Sequence, residues 1–251
     1  MGAPGRERLD KLLVDRGLVS SRERARRLVM AGQVFVDQRR IDKPGATVPV
    51  AAAVEVRGDD IPYVSRGGLK LEAALRSWPI EVQGCVAIDV GASTGGWTDC
   101  LLQHGARRVY AVDVGYGQFA WSLRNDARVR LHERANIRTF EADLEEVPTL
   151  AVIDVSFISL CLVLPKVVSL LAPVASLIAL VKPQFEVGKG QVGKGGVVRD
   201  PALHRSAIEG VRSCAERLGL RCRGEMASPL LGPAGNREFL LWLEKCDGGT
   251  P

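Results

Sequence analysis

Residues 85–96 read Cys-Val-Ala-Ile-Asp-Val-Gly-Ala-Ser-Thr-Gly-Gly: an apolar run, an acid at Asp89, then a glycine-rich turn. Gly91, Gly95 and Gly96 let the backbone approach a ligand closely and open a helix behind it. Ala92, Ser93 and Thr94 complete the loop. Ser93 stands where a dinucleotide fingerprint has its second glycine, so the loop favours a nucleoside ligand without a pyrophosphate; S-adenosylmethionine is one. Asp113, twenty-two residues past Gly91, sits where an acid takes ribose hydroxyls. Asp143 suits an adenine amino group. Four more charged residues stand at the ends of apolar or periodic segments. Asp154 and Lys182 each close an apolar run, Glu238 opens the last one, and Lys70 lies in the first turn of a helix. A charge in such a place is seldom core packing.

These residues need elements to bring them together. Strands are predicted at 85–90, 108–113, 128–132, 150–156 and 175–182, and helices near 67–77, 96–104, 117–126, 159–172 and 201–218. This alternation is the pattern of an α/β fold with a parallel sheet. The apolar run 238–244 has no helix after it and reads as an antiparallel last strand. Ligands of open parallel sheets bind at the carboxyl ends of the strands. A helix directly before the first strand starts at that edge, and so does an antiparallel last strand. Topology alone therefore predicts that Lys70, Asp154, Lys182 and Glu238 converge beside the Asp89–Gly96 turn.

The chain of 251 residues carries a net charge of +5, unevenly spread. Residues 1–43 hold eleven Lys and Arg against six acids, an imbalance equal to that of the whole chain. A basic end on a near-neutral body points to a polyanion partner. The six cysteines show no C-x-x-C and no metal-ligand spacing, so they read as reduced residues of a cytoplasmic protein, with no metal site. The start has no apolar signal-peptide region, and Pro165, Lys166 and Pro173 interrupt the most apolar stretch, so no membrane partner is expected.

Residues 1–60 read as a small separate domain, 61–66 as a linker broken by Pro62, and 67–247 as the large domain. In the small domain Leu9, Leu12, Leu13 and Leu18 mark a short helix. Ser20, with Glu23 three residues on, caps a second helix that ends at Gly32. Valine pairs at 34 and 36, 48 and 50, and 54 and 56 mark short strands. Gly188–Gly195 nearly spells a P-loop, but Gly195 replaces the Ser/Thr that would hold Mg²⁺. It reads as a lid carrying Lys189, Lys194 and Arg199 toward phosphates. Residues 133–138 follow the third strand and read, by themselves, as an ordinary polar turn.

Two resemblances follow from these motifs. Arg8-Leu9-Asp10, Ser20-Ser21-Arg22 and Ala31-Gly32-Gln33-Val34 resemble the S-four-type (alpha-L) RNA-binding domain, a small α+β fold. That resemblance implies that Arg8, Arg22, Arg26 and Arg27 grip RNA phosphates. The order Lys70, Asp154, Lys182, Glu238 resembles the tetrad of FtsJ/RrmJ-type ribose 2′-O-methyltransferases. Together with Ser65-Arg66-Gly67-Gly68-x-Lys70-Leu71, Ile153-Asp154-Val155-Ser156-Phe157 and Lys182-Pro183-Gln184-Phe185-Glu186, nearly the whole chain resembles the TlyA family.

The family resemblance implies a Rossmann-like class I methyltransferase sheet with one antiparallel strand. It also implies S-adenosylmethionine as cofactor, ribosomal RNA or ribosomal subunits as partner, and 2′-O-methylation of cytidine. For that reaction Lys182 is the expected base, with burial and a second cation at Lys70 lowering its pKa. Asp154 orients Lys182 and the attacking oxygen, and Glu238 holds Lys70 or the ribose. The linker Ile61-Pro62-Tyr63-Val64 departs from the Arg-Ala-Trp-type tetrapeptide of some members. Residues 133–138, besides their reading as a turn, resemble a family stretch near the substrate cleft. Two other readings stay open: a non-catalytic RNA-binding or ribosome-assembly factor, and a haemolysin, for which no membrane or barrel pattern speaks.

Overall fold

A computed structural model describes residues 5–19, 21–30, 32–57, 61–141 and 144–246, without the side chains of Arg27, Met30, Lys189 and Pro233. Its contacts divide the chain into two units, Met1–Asp60 and Ile61–Pro251.

In the first unit the chain runs β1 (Arg6–Arg8), α1 (Leu9–Asp15), α2 (Arg22–Met30), β2 (Val34–Val36), β3 (Arg39–Arg40), β4 (Thr47–Pro49) and β5 (Val54–Val56). Leu9, Leu12 and Leu13 recur at helical spacing and pack with Ala25, Leu28 and Val29 of α2 and with Val34, Val36 and Val48 of the strands. The expected cap Ser20 lies outside the described residues. Ser21 Oγ accepts the Arg24 N–H at 3.2 Å and does the capping. A two-residue turn, Asp37-Gln38, joins β2 to β3 with both residues at positive φ, the twist that hairpin strands need.

The second unit opens with Ile61–Arg66, which the sequence reads as a linker. Here the segment packs onto the unit's own core: Tyr63 is buried, and a Cβ on Gly68 would stand 2.4 Å from its ring. Then follow α3 (Gly67–Ser77), β6 (Val86–Val90), α4 (Gly96–Gln103), β7 (Arg108–Val112), α5 (Trp121–Arg124), β8 (Val129–His132), β9 (Leu150–Ile153), α6 (Leu160–Leu170), β10 (Ala175–Val181), α7 (Pro183–Glu186), α8 (Pro201–Arg217), β11 (Leu220–Ala227) and β12 (Phe239–Lys245).

The seven strands form one sheet in the order β11-β12-β10-β9-β6-β7-β8. β10, β9, β6, β7 and β8 are parallel, and β12 lies antiparallel between β10 and β11. The central strands are almost wholly buried, as a sheet covered on both faces requires. Leu71 of α3 and Leu101 of α4 pack on one face with Val152, Leu180 and Leu240; Leu164 of α6 and Val211 of α8 pack on the other with Ile153, Val181 and Leu241.

Among the elements that differ from expectation, three belong to the sheet of the large unit or its flanks. The helix foreseen over 117–126 is a single turn, because Gly117 sits at φ 76° and its N–H is taken by Glu133 Oε1 at 2.7 Å. β9 stops at Ile153, which frees Asp154–Phe157 to form a loop at the sheet edge. β11 was not foreseen: Arg221, Arg223 and Glu225 alternate with small or apolar residues on an edge strand, too weak a pattern to stand out. No described helix is long and apolar enough to cross a membrane.

Candidate active site

β6 ends in the glycine turn, where two constraints act on the backbone. Gly91 has φ 84°, and a Cβ there would lie 2.5 Å from the carbonyl oxygen of Asp154, just past the end of β9. Any side chain would force the loops after β6 and β9 apart. Gly95 has φ 92°, with a Cβ position 2.5 Å from Leu123 Cδ1. Ser93 also takes a left-handed backbone, at φ 50°. The turn thus keeps a glycine-like conformation without the glycine, at a cost of roughly 1 kcal/mol.

Asp113, just after β7, offsets that cost. Its Oδ2 accepts the Ser93 N–H at 2.7 Å, and its Oδ1 accepts the Gly115 N–H at 2.6 Å and Gln118 Nε2 at 3.3 Å. One carboxylate therefore joins the loops after β6 and β7. Between these loops and the one after β9 opens a cavity of about 400 Å³, lined by Gly91, Ser93, Asp113, Asn136, Ile137, Asp154 and Phe157 among others. Ala92, Thr94, Gly95 and Gly96 shape the turn without lining the cavity. Asp89 is fully buried beneath it. Its Oδ2 accepts the Thr98 hydroxyl at 2.6 Å, and burial pushes the carboxyl up to about 7. Asp89 thus ties β6 to α4 and does not reach the cavity. Asp143 lies outside the described residues.

The four charged residues form two ion pairs. Lys182 Nζ stands 2.6 Å from Asp154 Oδ1 and donates to Ser156 Oγ at 2.9 Å. Lys70 Nζ donates to Glu238 Oε2 at 2.6 Å. Strand alternation explains the placement. Val152, Leu180 and Leu240 face α3. Two residues on from Val152 and Leu180, and two before Leu240, stand Asp154, Lys182 and Glu238. Val181 pairs with Phe239 across β10 and β12, which sets Lys182 beside Glu238 in the backbone. Lys70, Lys182 and Glu238 are all less than a tenth exposed. A Cβ on Gly232 would lie 2.1 Å from Glu238 Oε1, so the chain after β11 closes tightly over that carboxylate. Of the two roles expected for Glu238, holding Lys70 or the ribose, the geometry shows the first, so Lys70 stands near Lys182 as a compensated cation.

Asp154 belongs to both halves of the site, since it lines the cavity and holds Lys182. Ser156 and Gln118 are site residues that sequence reasoning did not single out by themselves. Ser156 lies inside the motif at 153–157, and Asn136 inside the segment 133–138; Gln118 offered no signal. Ala135, Asn136 and Ile137 line the cavity.

The segment read as a lid forms two short turns, Lys189–Gln191 and Lys194–Gly196. Lys194 and Arg199 are exposed, and the Lys189 side chain lies outside the described set. The segment's end is fixed: buried Asn236 accepts the Val198 N–H at 3.0 Å and donates to the Gly196 carbonyl at 2.9 Å.

In the first unit the geometry is reversed. Asp10 is buried, and the half-exposed guanidiniums of Arg8 and Arg22 converge on its Oδ2 at 2.9 and 3.2 Å. The Arg8 hydrogen bond, more than any other contact, holds the Asp10 carboxyl down at about 2. Arg26 is exposed on α2, and the side chain of Arg27 lies outside the described set.

Residues 63–245 match the FtsJ-like methyltransferase family, and residues 7–54 match the S4 domain. The chain is 50% identical, over 95% of its length and 90% of theirs, to the 16S/23S rRNA (cytidine-2′-O)-methyltransferase TlyA of Mycobacterium tuberculosis. It is 38% identical to hemolysin A of Brachyspira hyodysenteriae, over 93% of this chain and 98% of that one. A solved Streptococcus thermophilus structure, described as a hemolysin, is similar at 46% identity and a TM-score of 0.76, covering 98% of this chain and 90% of that one.

Proposed function

The chain belongs to the TlyA family of S-adenosylmethionine-dependent, FtsJ-like methyltransferases, and from that premise we propose that it methylates the ribose 2′-hydroxyl of a cytidine in ribosomal RNA. The observation that carries this reading is the double membership of Asp154, in the nucleoside cavity and in the Lys182 pair.

The cavity fits the cofactor. Its volume of about 400 Å³ is within the range of small-ligand sites. Val112, Val114 and Ile137 give apolar walls for a flat base, and Asp113 supplies acceptors for a ribose diol. The close approach enforced at Gly91 leaves backbone, with no side chain, at the cavity floor. S-adenosylmethionine, when bound, supplies a methyl group on a positively charged sulfur.

The residues of the chain do the rest. A ribose hydroxyl is a weak nucleophile until a base draws off its proton. Lys182, as the free amine, accepts the hydroxyl proton at Nζ. Asp154 and Ser156 fix where Nζ points and so where the oxygen stands, and such positioning is a large part of the rate. The Lys70–Glu238 pair braces the edge from which Lys182 projects. In the first unit Asp10 holds the Arg8 and Arg22 guanidiniums in a set orientation at the surface, where they meet RNA phosphates.

The test is radiolabelled methyl transfer to ribosomal subunits from cells lacking the protein, followed by nucleoside analysis. Label in 2′-O-methylcytidine supports the reading. Label only in a methylated base, or none above background, overturns it. The same assay disposes of the non-catalytic alternative.

A further inference from the structure

A second cavity, of about 200 Å³, lies in the large unit and is lined by Pro201, His204, Arg205, Ile208, Glu225, Arg237 and Phe239. None of these residues lines the nucleoside cavity. Its charge is unbalanced. Glu225 is already matched by Arg212 at 2.7 Å. Arg205 and Arg237 are exposed, and neither has an ion-pair or hydrogen-bond partner among the described residues. Two guanidiniums sharing one small recess repel each other unless an anion joins them.

Its position in the fold connects this recess to the reaction. Arg237 directly precedes Glu238, whose carboxylate holds Lys70 on the α3 face of the sheet. Phe239 packs with the core on the α6–α8 face, so consecutive residues at the start of β12 serve opposite faces. α8 begins at Pro201 and follows the segment anchored by Asn236. His204 also ties into that anchor, with Nε2 2.8 Å from the Val198 carbonyl. The recess therefore lies around the sheet edge from the Lys182 pair, on the other face. Its floor is too small for a nucleoside, below the ~300 Å³ usual for small-ligand sites. Its two planar, always-charged forks suit a tetrahedral oxyanion.

We propose that this recess, formed by Arg205 and Arg237, binds a backbone phosphate of the substrate RNA, close in the strand to the ribose that Lys182 serves. The inference rests on the reading of the protein as an RNA 2′-O-methyltransferase. An RNA strand that places a ribose at Lys182 and continues across this edge would meet the two unpaired arginines of this recess.

The experiment compares wild type with Arg205→Ala/Arg237→Ala. It reads RNA affinity over a salt series, kcat, KM for ribosomal RNA, and S-adenosylmethionine affinity. The expected result is a rise in KM of roughly tenfold with kcat and cofactor affinity unchanged. The plot of log affinity against log salt becomes shallower by about 0.7–0.9, the loss of one phosphate contact. Arg205→Lys/Arg237→Lys restores the salt slope but not the full affinity, because lysine keeps the charge and loses the fork. Arg76→Ala, which removes an exposed arginine already paired with Glu72, leaves the slope alone.

An unchanged slope and KM in the double alanine variant overturns the proposal. So does an equal fall in cofactor affinity, which signals damage to the fold. Inorganic phosphate that raises the Tm of wild type but not of the double variant, with RNA affinity the same in both, would assign the recess to a free anion and also overturn it. If wild type itself neither binds nor methylates ribosomal RNA, the parent reading fails first and this one with it.

Discussion

In the first unit only the anion of the Asp10 ion pairs is buried; at the sheet edge the cation is buried in both pairs, and in one of them the anion with it. At the sheet edge Lys70 and Lys182 are sunk below a tenth exposure, with Glu238 buried beside one and Asp154 partly exposed beside the other. In the first unit the carboxylate of Asp10 is the buried member, and the Arg8 and Arg22 guanidiniums reach into solvent. A buried cation is dehydrated, fixed in place and available to a substrate that enters the site. A buried anion is a clamp that aims cations outward. The first arrangement suits proton transfer and the second suits docking to a polyanion. The difference lies in which partner is solvated and in which cation is used, lysine at the sheet edge and arginine in the first unit.

The largest predicted effect comes from breaking a deep pair. Glu238→Gln leaves Lys70 buried without its counter-charge, and chemical denaturation is expected to show a loss of about 3–5 kcal/mol. Lys70→Met/Glu238→Leu, which removes both charges, is expected to be more stable than either single variant. If the double variant is as unstable as the sum of the singles, the pair is not acting as a unit. Asp10→Asn in the first unit is the contrasting case. Its arginines stay solvated, so the expected loss is about 1 kcal/mol at neutral pH. Because the Asp10 carboxyl sits near 2 in the folded chain, its contribution is present above the usual carboxylate range and is lost as pH falls through about 2.

Asp89 gives a different pH signature. Burial raises its carboxyl to about 7, so between the usual carboxylate range and pH 7 the folded chain holds a proton that the unfolded chain has released. Stability contributed by Asp89 is therefore full at acid pH and falls as pH rises through 7, by up to about 4 kcal/mol. Asp89→Asn should flatten that slope in a pH series of unfolding curves; an unchanged slope would mean that the buried carboxyl is charged throughout.

The sequence carried these pairs unequally. Asp154 and Lys182 interrupt apolar runs, so their place at the sheet edge follows from strand polarity alone. Lys70 and Glu238 needed one more step, the direction of the flanking helix and strand. Asp89 looked like a ligand residue because it precedes the glycines, but alternation turns it inward to Thr98. Asp113 is also a loop clamp, which spacing alone does not reveal. Arg205 and Arg237 line one recess only because α8 packs against the sheet beside the start of β12, and Asn236 gains its role only when the chain from Gly196 to Val198 folds back on it. Contacts made by tertiary packing between distant segments leave no period and no motif. The edge strand β11 was lost for a related reason, since half of its side chains face solvent.

The smallest expected effect is at the docking side. Arg22→Ala is expected to weaken ribosomal RNA binding a few-fold and to reduce its salt slope by about 0.7–0.9, with kcat unchanged. A fall in kcat with unaltered RNA affinity would blur the division between the two kinds of pair.

The most direct test of the account is methyl transfer by Lys182→Met, a substitution of similar length that removes the base. With ribosomal subunits as substrate, the variant is predicted to lose roughly 10²–10⁴-fold in kcat. S-adenosylmethionine and RNA affinities should stay within about threefold of wild type, as expected when the lost group acts chiefly in the transition state. A Lys182→Met protein that binds both and still methylates ribose at the wild-type rate would contradict it.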